Sequence, residues 1–257
     1  MNSMDEKLKV FRELLEIMDR LRAECPWDKK QTNESLRNLT LEEAYELADA
    51  ILEENSEEIK KELGDILLHI VFYAKIGSET GDFDIGDIVR NLNEKLIYRH
   101  PHIFSDTEVR DAEDVKKNWE ELKMREGKRV LEGVPGSLPA MIKANRIQEK
   151  VRAVGFDWDE KSQIWDKVRE ELDELETEVR KGDQGKTESE FGDLLFSLIN
   201  AARLYGIDPE TALEKTNMKF IKRFGYLEES TLSKGRSLKD MDLDEMNEIW
   251  EQAKDHD

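Results

Sequence analysis

Glu170-Glu171-Leu172-Asp173-Glu174, then Lys181-Gly182-Asp183-Gln184-Gly185, then Glu190-Phe191-Gly192-Asp193 is the stretch that decides the fold. Glu171 and Glu174 stand three residues apart, as do Glu190 and Asp193, so within a helix each pair shares one face. The glycine-rich segment between the pairs stops a helix, and helices joined by so short a break run antiparallel. Residues equidistant from the turn then sit at the same height. Glu174 matches Glu190, and Glu171 matches Asp193, about one midpoint at Gly182. The spacing therefore predicts four carboxylates facing one another in two levels.

The same pattern occurs 128 residues earlier, where Glu42-Glu43-Ala44-Tyr45-Glu46 and Glu62-Leu63-Gly64-Asp65 flank a midpoint at position 54, beside Asn55-Ser56. Three further blocks recur in the same order. Asn93-Glu94-Lys95-Leu96 through Arg99 answers Asn217-Met218-Lys219-Phe220 through Arg223. Trp119-Glu120-Glu121-Leu122-Lys123 answers Trp250-Glu251-Gln252-Ala253-Lys254, and Trp27-Asp28 answers Trp158-Asp159. A shared order of blocks predicts two homologous domains, residues 1–125 and 141–257. The linker between them, 126–140, concentrates helix breakers at Gly127, Gly133, Pro135, Gly136 and Pro139.

Within each half, apolar residues recur at helical spacing, as in Ile66, Ile70 and Tyr73, or Leu194, Leu198 and Ala201. No sustained alternation demands a sheet. The expected class is all-α: two helical-bundle domains in tandem, each with a carboxylate-bearing antiparallel hairpin. Composition agrees, because 39% charged against 38% hydrophobic residues is the balance of amphipathic helices with solvated outer faces.

A net charge of −20 repels nucleic-acid backbones and anionic membranes, so stable nucleic-acid binding and membrane association are not expected. The most apolar stretch, Ile66 to Ala74, is interrupted by His69 and is too short to span a bilayer. Met1 to Val10 lacks the apolar run of a secretory signal, and the single cysteine, Cys25, forms no internal disulfide. These features point to the cytoplasm.

Four ionised acids in one place repel by roughly 1 kcal/mol per pair at 4 Å even in water. A cation or proton uptake makes the arrangement tolerable. Ligation by oxygen alone favours a hard divalent ion, Mg²⁺ before Mn²⁺. The ligand candidates are Glu171, Glu174, Glu190 and Asp193, with Glu43, Glu46, Glu62 and Asp65 as a possible second set. Glu170 points partly off the ligand face, where it either orients an attacking water or is simply solvated. One such motif alone is an ordinary acidic helix surface. Its repetition, with the turn centred between the pairs in both copies, is what favours a metal site.

These residues resemble the MazG family of nucleoside triphosphate pyrophosphohydrolases, whose pattern is EExxE followed after a spacer by ExxD. The resemblance extends over nearly the whole chain, through Cys25-Pro26-Trp27-Asp28 with Gln31-Thr32, Leu131-Glu132-Gly133-Val134-Pro135, and Lys219-Phe220 to Arg223-Phe224. It implies an all-α, Mg²⁺-dependent, homodimeric hydrolase that cleaves nucleoside triphosphates to monophosphate and diphosphate, broadly over NTPs and dNTPs as a clearance activity. It further implies that the C-terminal copy is the catalytic one, that Glu171, Glu174, Glu190 and Asp193 bind the metal, that Lys219 and Arg223 hold phosphates, and that Trp250 lies against the nucleotide. Lys222 falls within a helical turn of that basic pair and joins the positive patch. Salt bridging for the bases, and a plain core role for Trp250, are the structural alternatives.

Lys95, Arg99 and Trp119 occupy the matching positions of the first copy, which is a second active site, a sensor or a scaffold. That copy departs from the second with Leu96 and His100 in place of Phe220 and Phe224, and with His69 in place of Ser197. A buried, satisfied histidine is the better reading of His69. Asn33 stands where family members often carry histidine. Two rival functions remain at this stage: a base-selective dUTP or dCTP pyrophosphatase of the same helical type, and a non-catalytic regulatory module binding nucleotide or metal. Gly185-Lys186-Thr187 resembles the end of a P-loop, but Arg180 occupies the earlier glycine position and the segment is read as part of the hairpin turn. His256-Asp257 resembles a metal-binding pair but stands at the end of the chain without companion ligands.

Overall fold

In a computed structural model, residues 2–112, 114–115, 118–119, 122 and 129–254 are described. Among them are helices and short 3₁₀ turns and no strand, as the periodicity predicts. The His256-Asp257 pair lies outside the described residues. None of the described helices is long and apolar enough to cross a membrane.

Backbone contacts divide the chain into two compact units, Met1–Glu108 and Val109–Asp257. The first contains α1 (Met4–Glu24), α2 (Asn33–Leu52), α3 (Ser56–Thr80), α4 (Ile85–Arg99) and the single turn α5 (Pro101–Phe104). Reciprocal caps start three of these: Ser3 with Glu6, Thr32 with Ser35, and Asp84 with Asp87. Met18 of α1, Leu36 of α2 and Val71 and Phe72 of α3 form its core. Arg22 ties α1 to the end of α3, its Nε and Nη2 each donating to Glu79 at 2.9 Å.

The second unit contains α6 (Ala140–Arg152), α7 (Ile164–Lys181), α8 (Gln184–Leu204), α9 (Pro209–Leu232) and α10 (Leu243–Ala253). Its division from the first falls ahead of the 126–140 stretch. Part of that stretch is anchored to α6, where Lys143 Nζ donates to the Gly136 carbonyl at 2.6 Å and Lys150 Nζ to that of Val130 at 3.1 Å. Ile164, Leu175, Ile199, Ala201 and Leu227 are buried.

Helices α2 and α3, like α7 and α8, form antiparallel hairpins through the same short turn. Gly182 closes α7 in the left-handed region with φ 74°, and Asp183 caps α8 by accepting from the Lys186 amide. At the matching positions Glu54 has φ 55° and Asn55 caps α3 by accepting from the Glu58 amide. A left-handed residue is thus required at the midpoint of both hairpins. Gly185-Lys186-Thr187 lies inside the first turns of α8 rather than in the turn itself, because the Asp183 cap starts the helix at Gln184.

Candidate metal centre

The α7–α8 hairpin brings one carboxylate oxygen each from Glu171, Glu174 and Glu190 within 4.8 Å of one another. Glu171 is only 6% exposed, Glu190 is half-buried and Glu174 is exposed. Asp193 lies outside this triplet and is exposed, one turn along α8 from Glu190. Burial pushes the Glu190 carboxyl above the ordinary glutamate value, and the negative charges of Glu174, Asp193, Glu171 and Glu178 push it further. Three of the four predicted ligands thus come together, and the charge of the fourth, Asp193, reaches Glu190.

Sequence reasoning missed the counter-charge. Lys167 Nζ stands 2.7 Å from Glu171 Oε1 and donates to Glu170 Oε1 at 2.9 Å. Those two carboxylates raise the ammonium well above the usual lysine range, the Glu171 contact most. Glu170 is thus exposed beside the triplet and held by Lys167. Glu178 was missed as well: one turn beyond Glu174, it joins Asp173, Glu174, Thr177 and Glu190 in lining an open cleft. Lys181 Nζ donates to its Oε1 at 2.6 Å, while its Oε2 is buried without a hydrogen-bond partner. Ala50 stands at the matching place in the first copy, so no motif shared by the two halves could have revealed it.

In the α2–α3 hairpin the triplet within 4.8 Å is Glu43, Glu62 and Asp65, with Glu46 exposed outside it. Glu62 is 3% exposed. Its Oε1 accepts from Lys61 Nζ at 2.8 Å, while its Oε2 is buried without a hydrogen-bond partner. A buried carboxylate oxygen with no donor fits a cation ligand. Burial, then Asp65, Glu46, Glu62 and Glu42, push the Glu43 carboxyl upward. The two hairpins therefore place the same four positions around one locus, each with a different exposed fourth member.

His69 is buried, as expected of a satisfied core histidine. Its Nδ1 lies 2.6 Å from Thr40 Oγ1, which is also 2.8 Å from Tyr73 Oη and donates to the Leu36 carbonyl at 3.0 Å. Thr40 has a single hydrogen, so with that donated to Leu36 both His69 and Tyr73 donate to Thr40. Burial lowers the His69 pKa, with Asp65 opposing. In the second unit Ser197 donates locally to the Leu194 carbonyl at 2.9 Å.

The basic segment lies on α9. Lys219 and Lys222 are exposed, and the Arg223 guanidinium sits 5.8 Å from the ring centroid of half-buried Trp250. Phe220 packs 5.0 Å from Trp250 and 6.2 Å from Phe224, the two phenylalanine rings within 8° of parallel. In the first unit Lys95 is exposed and Arg99 half-buried, both on α4; Trp119, which the sequence repeat assigns to the first copy, is half-buried and falls in the second unit.

Residues 31–104 and 160–226, each containing one hairpin and one basic segment, match the family described as the MazG nucleotide pyrophosphohydrolase domain. The chain belongs to the MazG family. A Thermotoga maritima relative named nucleoside triphosphate pyrophosphohydrolase/pyrophosphatase MazG is 43% identical over 257 residues, covering 98% of both chains. An Escherichia coli K12 relative named nucleoside triphosphate pyrophosphohydrolase is 43% identical over 251 residues, covering 94% of this chain and 95% of its own. The protein YabN of Bacillus subtilis is 46% identical over 236 residues, 90% of this chain but 48% of its own length. Trp119 and Trp250 lie outside the two segments matched to the MazG domain, whereas every carboxylate of both hairpins lies inside them.

Proposed function

We infer that this MazG protein is a nucleoside triphosphate pyrophosphohydrolase, converting NTP and water to NMP and diphosphate, with its principal site on the α7–α8 hairpin. The observation that carries the reading is the convergence of Glu171, Glu174 and Glu190 within 4.8 Å, beside Asp193. Oxygen-only ligands and a carboxyl whose pKa is raised by burial and then by neighbouring negative charges suit a hard divalent cation, Mg²⁺ ahead of Mn²⁺. Bound by these residues, such an ion would supply charge withdrawal from the phosphate oxygens. The names of the Thermotoga and Escherichia relatives agree with this activity.

The protein's own groups divide the remaining work. Lys219, Lys222 and Arg223 bind the polyphosphate and neutralise the charge that builds on the departing diphosphate. Glu170, exposed next to Glu171, orients the attacking water. A bond forms between the water oxygen and the α-phosphorus as the bond from that phosphorus to the α–β bridging oxygen breaks; the electron pair leaves with diphosphate and the water's proton passes to solvent. The substrate range is read as broad over NTPs and dNTPs, a clearance activity suited to a reducing cytosol. The first sequence copy, with Glu43, Glu46, Glu62, Asp65, Lys95 and Arg99 in the first unit and Trp119 beyond its end, is read as a homologous second site of lesser turnover. A homodimer is the proposed assembly.

The test compares diphosphate release by the full chain with that of Glu174→Ala and Glu46→Ala, with and without Mg²⁺. Loss of a metal ligand at the working site is expected to cost about 100-fold or more in turnover; the Glu46 variant is expected to stay within about threefold if the first unit does little of the chemistry. Comparable losses would refute the assignment to the second unit. Binding of NTP without diphosphate release would favour the regulatory module, and turnover of a single base the selective pyrophosphatase.

A further inference from the structure

Where the second copy closes its basic segment with Phe224-Gly225-Tyr226, the first has His100-Pro101-His102. Two of the chain's four histidines thus stand two residues apart, outside both carboxylate hairpins. His100 caps the C-terminal end of α4 and Pro101 takes the first position of α5, so the chain turns between the two rings at a residue whose φ is fixed. The rings lie 5.6 Å apart, centre to centre, and are tilted by 54° rather than stacked.

Each imidazole is prepared in its own way. His100 Nδ1 lies 2.7 Å from the Leu96 carbonyl, which can only accept, so Nδ1 carries the proton and the lone pair of the neutral ring sits on Nε2. A hydrogen bond from the second ring nitrogen to a backbone carbonyl is the support that metal-ligating histidines regularly have. His102 Nδ1 is buried without a hydrogen-bond partner, an unfavourable state for a ring nitrogen unless another group or an ion meets it. Two imidazoles on one tetrahedral ion, with metal–nitrogen bonds of about 2.0–2.1 Å, hold their ring centres about 5 to 6 Å apart, and this pair has that spacing. We propose that His100 Nε2 and His102 Nδ1 together bind one transition-metal ion of the zinc or nickel class. Among the described residues no Cys, Asp or Glu completes a ligand triplet with the pair, so water fills the remaining positions and the ion exchanges readily. Nitrogen ligands also separate this site from the hairpins, since imidazole suits Zn²⁺ and Ni²⁺ whereas carboxylates suit Mg²⁺. The second copy, with Phe224 and Tyr226 at these positions, offers no ring nitrogen and cannot form it.

The experiment titrates the full chain with Zn²⁺ in a large excess of Mg²⁺, which occupies oxygen ligands, and follows binding by calorimetry and by the imidazole NMR resonances. The proteins compared are the native chain, His100→Phe, His102→Tyr and Cys25→Ser; the two histidine changes install the second copy's residues. Expected for the native chain is one equivalent of Zn²⁺ that shifts the His100 and His102 resonances together. Each histidine variant should weaken that uptake about tenfold or more, and Cys25→Ser should bind as the native chain does. The NMR titration of the native chain needs no substitution, so it decides the matter even if a histidine variant folds poorly. Zn²⁺ that shifts neither ring, or only one of them, overturns the proposal. Native affinity in a folded histidine variant overturns it too, as does uptake that disappears with Cys25→Ser.

Discussion

Asp157 is the clearest case of a residue whose environment sets its chemistry. Burial raises its pKa, but hydrogen bonds from Arg203, the Trp158 amide and the charge of Arg152 together hold it below the usual aspartate value of 3.8. Arg203 is itself nearly buried and also donates through Nε to Asn200 Oδ1 at 3.0 Å. A carboxyl held below its unfolded value stabilises the native state at every pH above that value, and the contribution is lost as pH falls through the folded pKa. Asp157→Asn is therefore expected to cost about 2 kcal/mol at pH 7 by urea denaturation, with the difference shrinking below pH 3.8. A constant difference across that range would show that packing rather than charge is responsible. Glu190 has the opposite sign. The native state binds its proton more tightly than the unfolded chain, so metal-free stability declines as pH rises from 4.5 through the raised value. Glu190→Gln should raise the metal-free Tm at pH 7 and abolish the Tm gain given by added Mg²⁺; retention of that gain would place the cation elsewhere. Residue-scale legibility was uneven for a physical reason. Carboxylates on fixed helical spacing declare their common face in the sequence, and so does Lys167, three and four residues before its partners Glu170 and Glu171, whereas Arg203 reaches Asp157 outside its own helix, and no spacing rule predicts that choice.

At the scale of elements, the hairpin turns explain why one midpoint was visible and its twin was found only by symmetry. Gly182 adopts φ 74° at no steric cost, and its glycine announces the break. Glu54 adopts φ 55° with a side chain that disfavours it, and nothing in its identity signals a turn. Two substitutions separate backbone preference from contact. A Cβ on Gly182 meets nothing within 4 Å, so Gly182→Ala should destabilise the protein through backbone conformation alone, by about 1 kcal/mol. Glu54→Gly removes strain but frees the unfolded chain, for an expected net gain of about 0.5 kcal/mol. Urea denaturation checks both. A destabilising Glu54→Gly would mean that its side chain contributes more than its backbone costs. Helix boundaries elsewhere were less legible, as at Gly185-Lys186-Thr187, because the single Asp183 cap overrides a glycine one residue inside the helix.

For the whole molecule, the repeat extends beyond the metal ligands to what the hairpins leave uncovered. Leu63, Leu67 and Ile70 on α3 are exposed, and so are their counterparts Phe191, Leu195 and Leu198 on α8. Positions spaced by four and then three residues form one stripe of a helix, and the same stripe left open in both copies is the pattern of an interface with a second chain. The tandem organisation was legible in sequence because both copies keep their blocks in order; the open stripe was not, since exposure depends on which neighbours the fold supplies. If these stripes join two copies, sedimentation equilibrium should give about twice the 30.0 kDa chain mass. Leu67→Glu combined with Leu195→Glu should shift that mass toward the monomer by placing charges in an apolar contact. Salt supplies the independent check. Two chains of net charge −20 repel, so an apolar contact should tighten as ionic strength rises and screens that repulsion, whereas a contact made by ion pairs should loosen. A native chain that sediments at 30.0 kDa at micromolar concentration and high salt would rule out the dimer.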